Sequence, residues 1–244
     1  MKGANHDAIR LHGHPVSTYF NIARAALIEK GVNFEVVMSR ARQDPEFLNL
    51  SPMGKIPVLE TPHGWIAETI AILEYLEETL PAPALYPPDP LLRARGRQII
   101  NIVQMYVDAQ VRNLYPGVFF GRSNDEATVA ATRVTLDRAT QALSILMKPA
   151  PFALGRDISH ADVFAFYCLD IADRVTRFVY ARSLLKEIGT LTEWSQMMAA
   201  RASAHAVFAD FYPAFVAYLA GHEARYDCRA DTADVVLPPA AVIA

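Results

Sequence analysis

Cysteine is scarce in this 244-residue chain: Cys168 and Cys228 are the only two, too few for a disulfide framework or a cysteine metal site. No run of about 18 apolar residues is present, so no membrane-crossing helix is expected. The opening stretch, MKGANHDAIRLHG, lacks the continuous apolar core of a signal peptide. An excess of one charge is missing too. The 23 basic and 26 acidic side chains leave a net charge of −3 with no Lys/Arg-rich block, which argues against nucleic acid or an anionic membrane surface as partner. Seven histidines, among them His6, His63, His160, His205 and His222, form no HxxxH-like cluster, so no metal is expected. There is no internal repeat of fixed period.

What remains is an ordinary globular composition, 52% hydrophobic and 20% charged, long enough for one or two domains. Cys168, inside the apolar run VFAFYCLDIA, reads as a small buried hydrophobe, and Cys228, in a polar tail, as an exposed one. A reduced, cytoplasmic setting fits this usage.

Residues 8–12 (AIRLH) read as a strand, broken by Gly13. The turn His14-Pro15-Val16-Ser17 leads into a helix striped by Val16, Phe20, Ala23 and Leu27, with Gly31 at its C-terminal cap. Residues 34–37 read as a second strand, so the chain opens as a βαβ unit, favouring a parallel pair with right-handed crossover. Residues 38–54 are irregular, with one short helix around 44–50. Pro57 to Glu60 and Trp65 to Ala67 flank a Pro62-His63-Gly64 turn and form a hairpin. A helix striped by Ile70, Leu73 and Leu76 starts at Thr69.

Five prolines in 81–90 exclude a helix or central strand there and mark a linker. Beyond it, 91–122, 125–148, 159–174 and about 190–220 read as helices. Pro116-Gly117 is expected to kink the first or end it early. Ser159 and Asp162 make a capping box for the third, with Ile158 and Val163 placed as a staple. The last residues, DVVLPPAAVIA, are an apolar tail expected to dock rather than hang free.

Taken alone, the residues that stand out have plain explanations. Ser17 can cap a helix, Thr69 likewise, Lys55 can be a solvated lysine, and His14 an ordinary turn residue. On an unbroken helix, Asp108, Arg112, Tyr115 and Phe119 would share one face, their aromatics in the core and their charges in solvent.

The order and spacing of GHPVST at 13–18, SPMGKIPVLE at 51–60, AET at 67–69, the Pro-rich linker and ISHADV at 158–163 change that weighting. Together they resemble the cytosolic glutathione S-transferase superfamily over residues 8 to about 225. The GHPxS turn is most similar to serine-type, phi-like and bacterial theta-like members.

The resemblance implies a thioredoxin-like βαβ-ββα glutathione-binding domain (1–80), the linker (81–90), an all-helical domain (91–226) and the tail (227–244). It implies Ser17 as hydroxyl partner and catalytic residue for the glutathione thiolate, with Thr18, Tyr19 and Asn21 as rivals. Lys55 is implied as a cation for a glutathione carboxylate, and Ile56, before a cis Pro57, as the main-chain partner of the cysteinyl residue. Glu68 and Thr69 fall to the γ-glutamyl end; the family usually has Glu-Ser there, so Thr69 departs while keeping the hydroxyl. Asp108 is implied to reach glutathione across a dimer. His14, Arg112, Tyr115 and Phe119 would line the pocket for a small apolar electrophile.

The implied activity is glutathione conjugation in a cytoplasmic homodimer serving detoxification, with glutathione as co-substrate and no metal. Peroxide or disulfide reduction, isomerisation and dehalogenation are alternatives on the same fold, and a non-catalytic ligand-binding or structural role is another. The Ser-Ser-Cys turn usual in the isomerase class is absent.

Overall fold

A computed structural model describes residues 9–228. The chain divides into two compact units, one ending at Leu85 and one beginning at Tyr86.

The first unit is a thioredoxin-like fold. Its elements are β1 (Ile9–Gly13), α1 (Thr18–Glu29), β2 (Phe34–Met38), α2 (Pro45–Leu48), β3 (Val58–Thr61), β4 (Gly64–Ala67) and α3 (Thr69–Thr79). The four strands lie in the order β2-β1-β3-β4. β1 pairs parallel with β2 and antiparallel with β3, which pairs antiparallel with β4.

Strand alternation explains the faces. Leu11 is fully buried, whereas Arg10 and His12 point the other way and bond Glu60, with Arg10 also holding Glu35. α1 and α3 supply the apolar side: Phe20, Ala23, Leu27, Ile72, Leu73 and Leu76 are fully buried. Gly13 is required by closeness, because a Cβ there would fall 2.2 Å from Phe20 Cδ2. At its far end α1 finishes on Lys30, with Gly31 beyond it at φ +64. The Lys30 ammonium is buried against Glu77 (2.7 Å) and donates to the carbonyls of Leu80 (2.7 Å) and Pro83 (3.0 Å).

The second unit is all helical: α4 (Pro90–Ile102), a π-helical stretch (Val103–Asp108), α5 (Ala109–Arg112), α6 (Tyr115–Phe119), α7 (Glu126–Leu146), α8 (His160–Tyr180), α9 (Leu184–Glu187), α10 (Thr190–Ala199) and α11 (Ala202–Gly221). Pro90 opens α4 as a first-turn proline behind the Asp89 cap.

Several expectations are corrected. The helix expected over 91–122 is not continuous. α5 ends at Arg112 because Pro116 lacks the N–H that would bond the Arg112 carbonyl, and its ring would strike that group. The single helix expected over 190–220 is two, and α9 was not foreseen. α8 extends six residues past the expected 174, closing on Ala181 at φ 53. Its expected capping box is present. Cys228 is buried, not exposed, and Cys168 is fully buried as expected. Residues 229–244 of the apolar tail, like His6, lie outside the described residues. Among the described residues no helix is long and apolar enough to cross a membrane.

Candidate functional site

Sheet register decides which segments meet. His12 of β1 stands opposite Val58 of β3, and Val58 opposite Ala67 of β4. The three strands therefore share one end. β1 leaves it through the His14–Ser17 turn into α1, the Lys55–Pro57 segment enters it to begin β3, and β4 leaves it through Glu68 into α3. Ser17, Ile56 and Thr69 are thus brought to the same end of one sheet although 52 positions separate the first from the last (69 − 17). A hydrogen bond from the Thr69 hydroxyl to the Tyr19 carbonyl (3.5 Å) ties the starts of α3 and α1 together.

Ser17 is the N-cap of α1. Its backbone is extended and its Oγ accepts the Phe20 N–H at 3.3 Å. A hydroxyl that accepts in this way keeps its own hydrogen for another acceptor. The turn before it is held from several sides: Ser17 N–H donates to the His14 carbonyl (2.9 Å), and the buried Asn21 donates Nδ2 to the Pro15 carbonyl (2.8 Å). Asn21 Oδ1 is buried with no partner among the described residues. Thr18 and Tyr19, the neighbouring candidates, are half-buried.

At the second segment the Ile56–Pro57 bond is cis. Pairing of β3 with β1 ends at Val58, so Ile56 lies beyond the ladder. The turn is braced by the buried Ser51, whose Oγ accepts the Lys55 N–H (3.0 Å) and donates to the Lys55 carbonyl (2.8 Å). The Lys55 side chain itself is exposed.

At the third segment Glu68, rather than Thr69, is the N-cap of α3, and no side chain caps this helix. The first N–H groups of α3 are therefore directed outward with the positive end of the helix dipole. Glu68 is exposed and sits at φ 68, ψ 116, a conformation that costs a non-glycine residue about 1–3 kcal/mol. Thr69 is buried.

His14 has an unusual setting. Its Nδ1 accepts the Val16 N–H at 3.3 Å, and its Nε2 faces Arg40 Nη2 at 3.4 Å. Burial first, and the nearby Arg40 guanidinium second, hold the imidazole below the ordinary histidine value.

The other candidates belong to the second unit. The interrupted helix still keeps Asp108, Arg112, Tyr115 and Phe119 in file. Asp108 is fully buried and accepts from Arg112 Nε (2.6 Å) and Nη2 (3.3 Å). The Arg112 guanidinium lies 5.4 Å from the Tyr115 ring centre, and the Tyr115 and Phe119 rings meet edge to face at 4.8 Å. Burial pushes the Tyr115 hydroxyl well above its usual range, with Arg112 opposing and Asp108 adding. Phe119 is buried against Phe215 and Tyr226.

Sequence reading passed over Arg40 and Ser51, which sit in a stretch without periodicity. Only the turn signals around Ser51 marked that region. Among the described residues no His/Cys/Asp/Glu group could hold a metal ion.

A family model described as the N-terminal domain of glutathione S-transferase matches residues 11–84. A glutathione S-transferase of Pseudomonas putida is 34% identical over 201 residues, spanning 78% of this chain and 91% of that protein. A maleylacetoacetate isomerase of Rattus norvegicus is 31% identical over 150 residues, 57% of this chain and 67% of the isomerase. Among solved structures, a glutathione S-transferase of Methylobacterium radiotolerans in complex with glutathione sulfonate is similar with a TM-score of 0.65 and 26% identity, covering 82% of this chain and 94% of that one.

Proposed function

The chain belongs to the glutathione S-transferase family, and we propose that it holds glutathione as a thiolate at Ser17 and transfers it to a small apolar electrophile. The observation that carries this reading is the meeting of a hydroxyl with a free hydrogen, a main-chain segment beyond its ladder and an uncapped helix start at one sheet end.

Each feature suits one part of the tripeptide. The γ-glutamyl carboxylate suits the start of α3, where outward N–H groups and the helix dipole favour an anion. Glu68 accepts its α-ammonium, and Thr69 shapes the helix start through its bond to Tyr19. The cysteinyl residue pairs with Ile56 as a short added strand, with Pro57 setting the turn. Lys55 supplies a cation for a carboxylate. The sulfur then lies against the start of α1. There the Ser17 hydroxyl donates to it and the helix dipole adds to the stabilisation, so the thiol ionises near neutral pH. The thiolate lone pair forms the new C–S bond while the leaving group departs with its bonding electrons. Anion stabilisation and proximity of the two reactants supply the rate.

His14 is assigned to the electrophile, whereas Phe119 is a core ring of the helical unit, packed on Phe215 and Tyr226. A homodimer is the assembly proposed, but Asp108, fully buried on Arg112, presents no surface to a partner copy. Detoxification in the cytoplasm is the setting this chemistry suits.

The test is Ser17→Ala. Conjugation of 1-chloro-2,4-dinitrobenzene is expected to fall by about 100-fold in kcat, the scale of losing one oxyanion-type donor, with glutathione affinity changed less than about threefold. The bound thiol's absorbance titration should move up by more than one pH unit. Unchanged turnover would move the role to Thr18, Tyr19 or Asn21. Absence of glutathione binding in the unaltered protein would leave a ligand-binding or structural role in its place.

A further inference from the structure

Both ring nitrogens of His14 face hydrogen-bond donors. Val16 N–H points at Nδ1 (3.3 Å) and the Arg40 guanidinium at Nε2 (3.4 Å). A neutral imidazole has one lone pair and one N–H. If Nδ1 accepts from Val16, the hydrogen sits on Nε2 and opposes Arg40. If Nε2 accepts from Arg40, the hydrogen sits on Nδ1 and opposes the Val16 amide. An imidazolium opposes both. The neutral ring thus faces one donor too many, and the imidazolium two.

Arg40 does not find relief elsewhere: among the described residues no carboxylate takes up its guanidinium, whereas Arg42 nearby is paired with Asp44 at 3.2 Å. The pair is also fixed relative to Ser17. The Ser39 N–H donates to the Gly13 carbonyl at 2.8 Å, holding the start of the Arg40 loop beside the residue before His14. The Ser17 N–H donates to the His14 carbonyl at 2.9 Å.

What resolves such an excess is an acceptor bearing negative charge, placed so that one oxygen takes the His14 Nε2–H and the carboxylate as a whole takes the planar fork of Arg40. We infer that Arg40 and His14 form a carboxylate subsite beside Ser17, and that it serves the second substrate, an electrophile with an apolar body and an acidic end. The inference rests on the glutathione reading and deepens it by naming the substrate class. A neutral electrophile gains nothing from this pair; an acidic one gains a charge-assisted contact within a few residues of the reacting sulfur.

The glycyl carboxylate of glutathione is the other source of the same chemistry, and the experiment separates the two. 4-Chloro-3,5-dinitrobenzoate and its methyl ester are assayed at saturating glutathione, and the glutathione conjugates of both are titrated by calorimetry. With each kcat/KM divided by the rate constant of that compound's uncatalysed reaction with glutathione, the unaltered protein should prefer the acid over the ester by about tenfold, and the acid's conjugate should bind more tightly by a similar factor. Arg40→Gln should bring both ratios close to one. Arg40→Lys, which keeps the charge but loses the fork, should restore part of the preference. Arg40 is exposed, so these variants should fold.

An unaltered protein without acid preference overturns the inference. So does an Arg40→Gln protein whose ratios are unchanged, and so does one whose KM for glutathione rises with both electrophiles affected alike, because the guanidinium would then serve the tripeptide. Glutathione alone is titrated in parallel. If it binds and the acid preference is absent, only this inference falls. If it does not bind, the glutathione reading falls and the subsite falls with it.

Discussion

The buried ion pairs of the helical unit and the sheet end of the first unit treat their polar groups in opposite ways. In the helical unit the buried charges are surrounded by partners. Arg174, fully buried, grips Asp170 with two hydrogen bonds (2.9 and 3.0 Å) and donates to the hydroxyls of Tyr212 (2.9 Å) and Tyr226 (3.3 Å). Asp162 accepts from the Ala153 and Ser159 amides, the Ser159 hydroxyl and the Trp194 indole. At the sheet end of the thioredoxin-like unit, pairing among the described residues is incomplete: there the Ser17 hydrogen has no acceptor, α3 no side-chain cap and Asn21 Oδ1 no partner, and His14 faces two donors. The contrast also exists inside the first unit, since Lys30 at the other end of α1 is buried with three acceptors. Complete pairing marks where polar groups hold the fold, and incomplete pairing at one edge is what the proposed ligand would complete.

The largest test of this contrast falls on the helical unit. Arg174→Met leaves the Asp170 carboxylate buried without its cation, and the expected cost is about 3–5 kcal/mol in urea unfolding. The double variant Arg174→Met/Asp170→Leu should recover most of it, because the desolvated charge is then gone as well. A single variant as stable as the unaltered protein would show that the network is not what holds α8 in place.

Glu68 tests the opposite unit with a smaller and opposite effect. Its backbone stays in a strained region, and Glu68→Gly should raise stability by about 0.5–1 kcal/mol while weakening glutathione binding by about tenfold. Stability is read from the urea midpoint and affinity from calorimetry. If glycine lowers stability and leaves binding alone, the strain belongs to the fold and not to the ligand.

What the sequence made legible follows the same division. The α3 stripe and the Ser159–Asp162 capping box are local signals, set by spacing within one turn or a few; the box is found, and the stripe is found at Leu73 and Leu76 with Ile72 buried in place of Ile70. α8 past residue 174 was illegible for a physical reason. Asp170, Asp173, Arg174 and Arg177 look like a solvated face, yet they pair four apart as Asp170–Arg174 and Asp173–Arg177 and so stay inside. The break at Arg112 was half legible, since Pro116 announced it without fixing its place. In the candidate site, Ser17, Ile56 and Thr69 were readable because each sits at an element boundary with its own turn chemistry. Arg40 was not. Its meeting with His14 depends on parallel register, with Met38 opposite Gly13, and no periodicity in 38–54 encodes that.

The smallest effect comes from His14 and is a matter of pH. Burial and Arg40 hold its native value below the ordinary 6.5, so between the two values the unfolded chain binds a proton that the native state does not. Stability therefore rises with pH through that window and is lost as pH falls below about 6.5. His14→Asn keeps an acceptor for the Val16 amide and removes the titrating ring. Urea midpoints at pH 7.5 and 5.5 should differ less in this variant than in the unaltered protein, the other histidines contributing equally to both. An acidic ligand seated against Arg40 opposes the depression, so a bound carboxylate-bearing conjugate should shrink the same difference in the unaltered protein and not in His14→Asn. An equal acid sensitivity in the two proteins, with and without the conjugate, would mean that the two donors facing His14 do not govern its proton. The incomplete pairing at the sheet end would then rest on Ser17, Asn21 and the start of α3 alone.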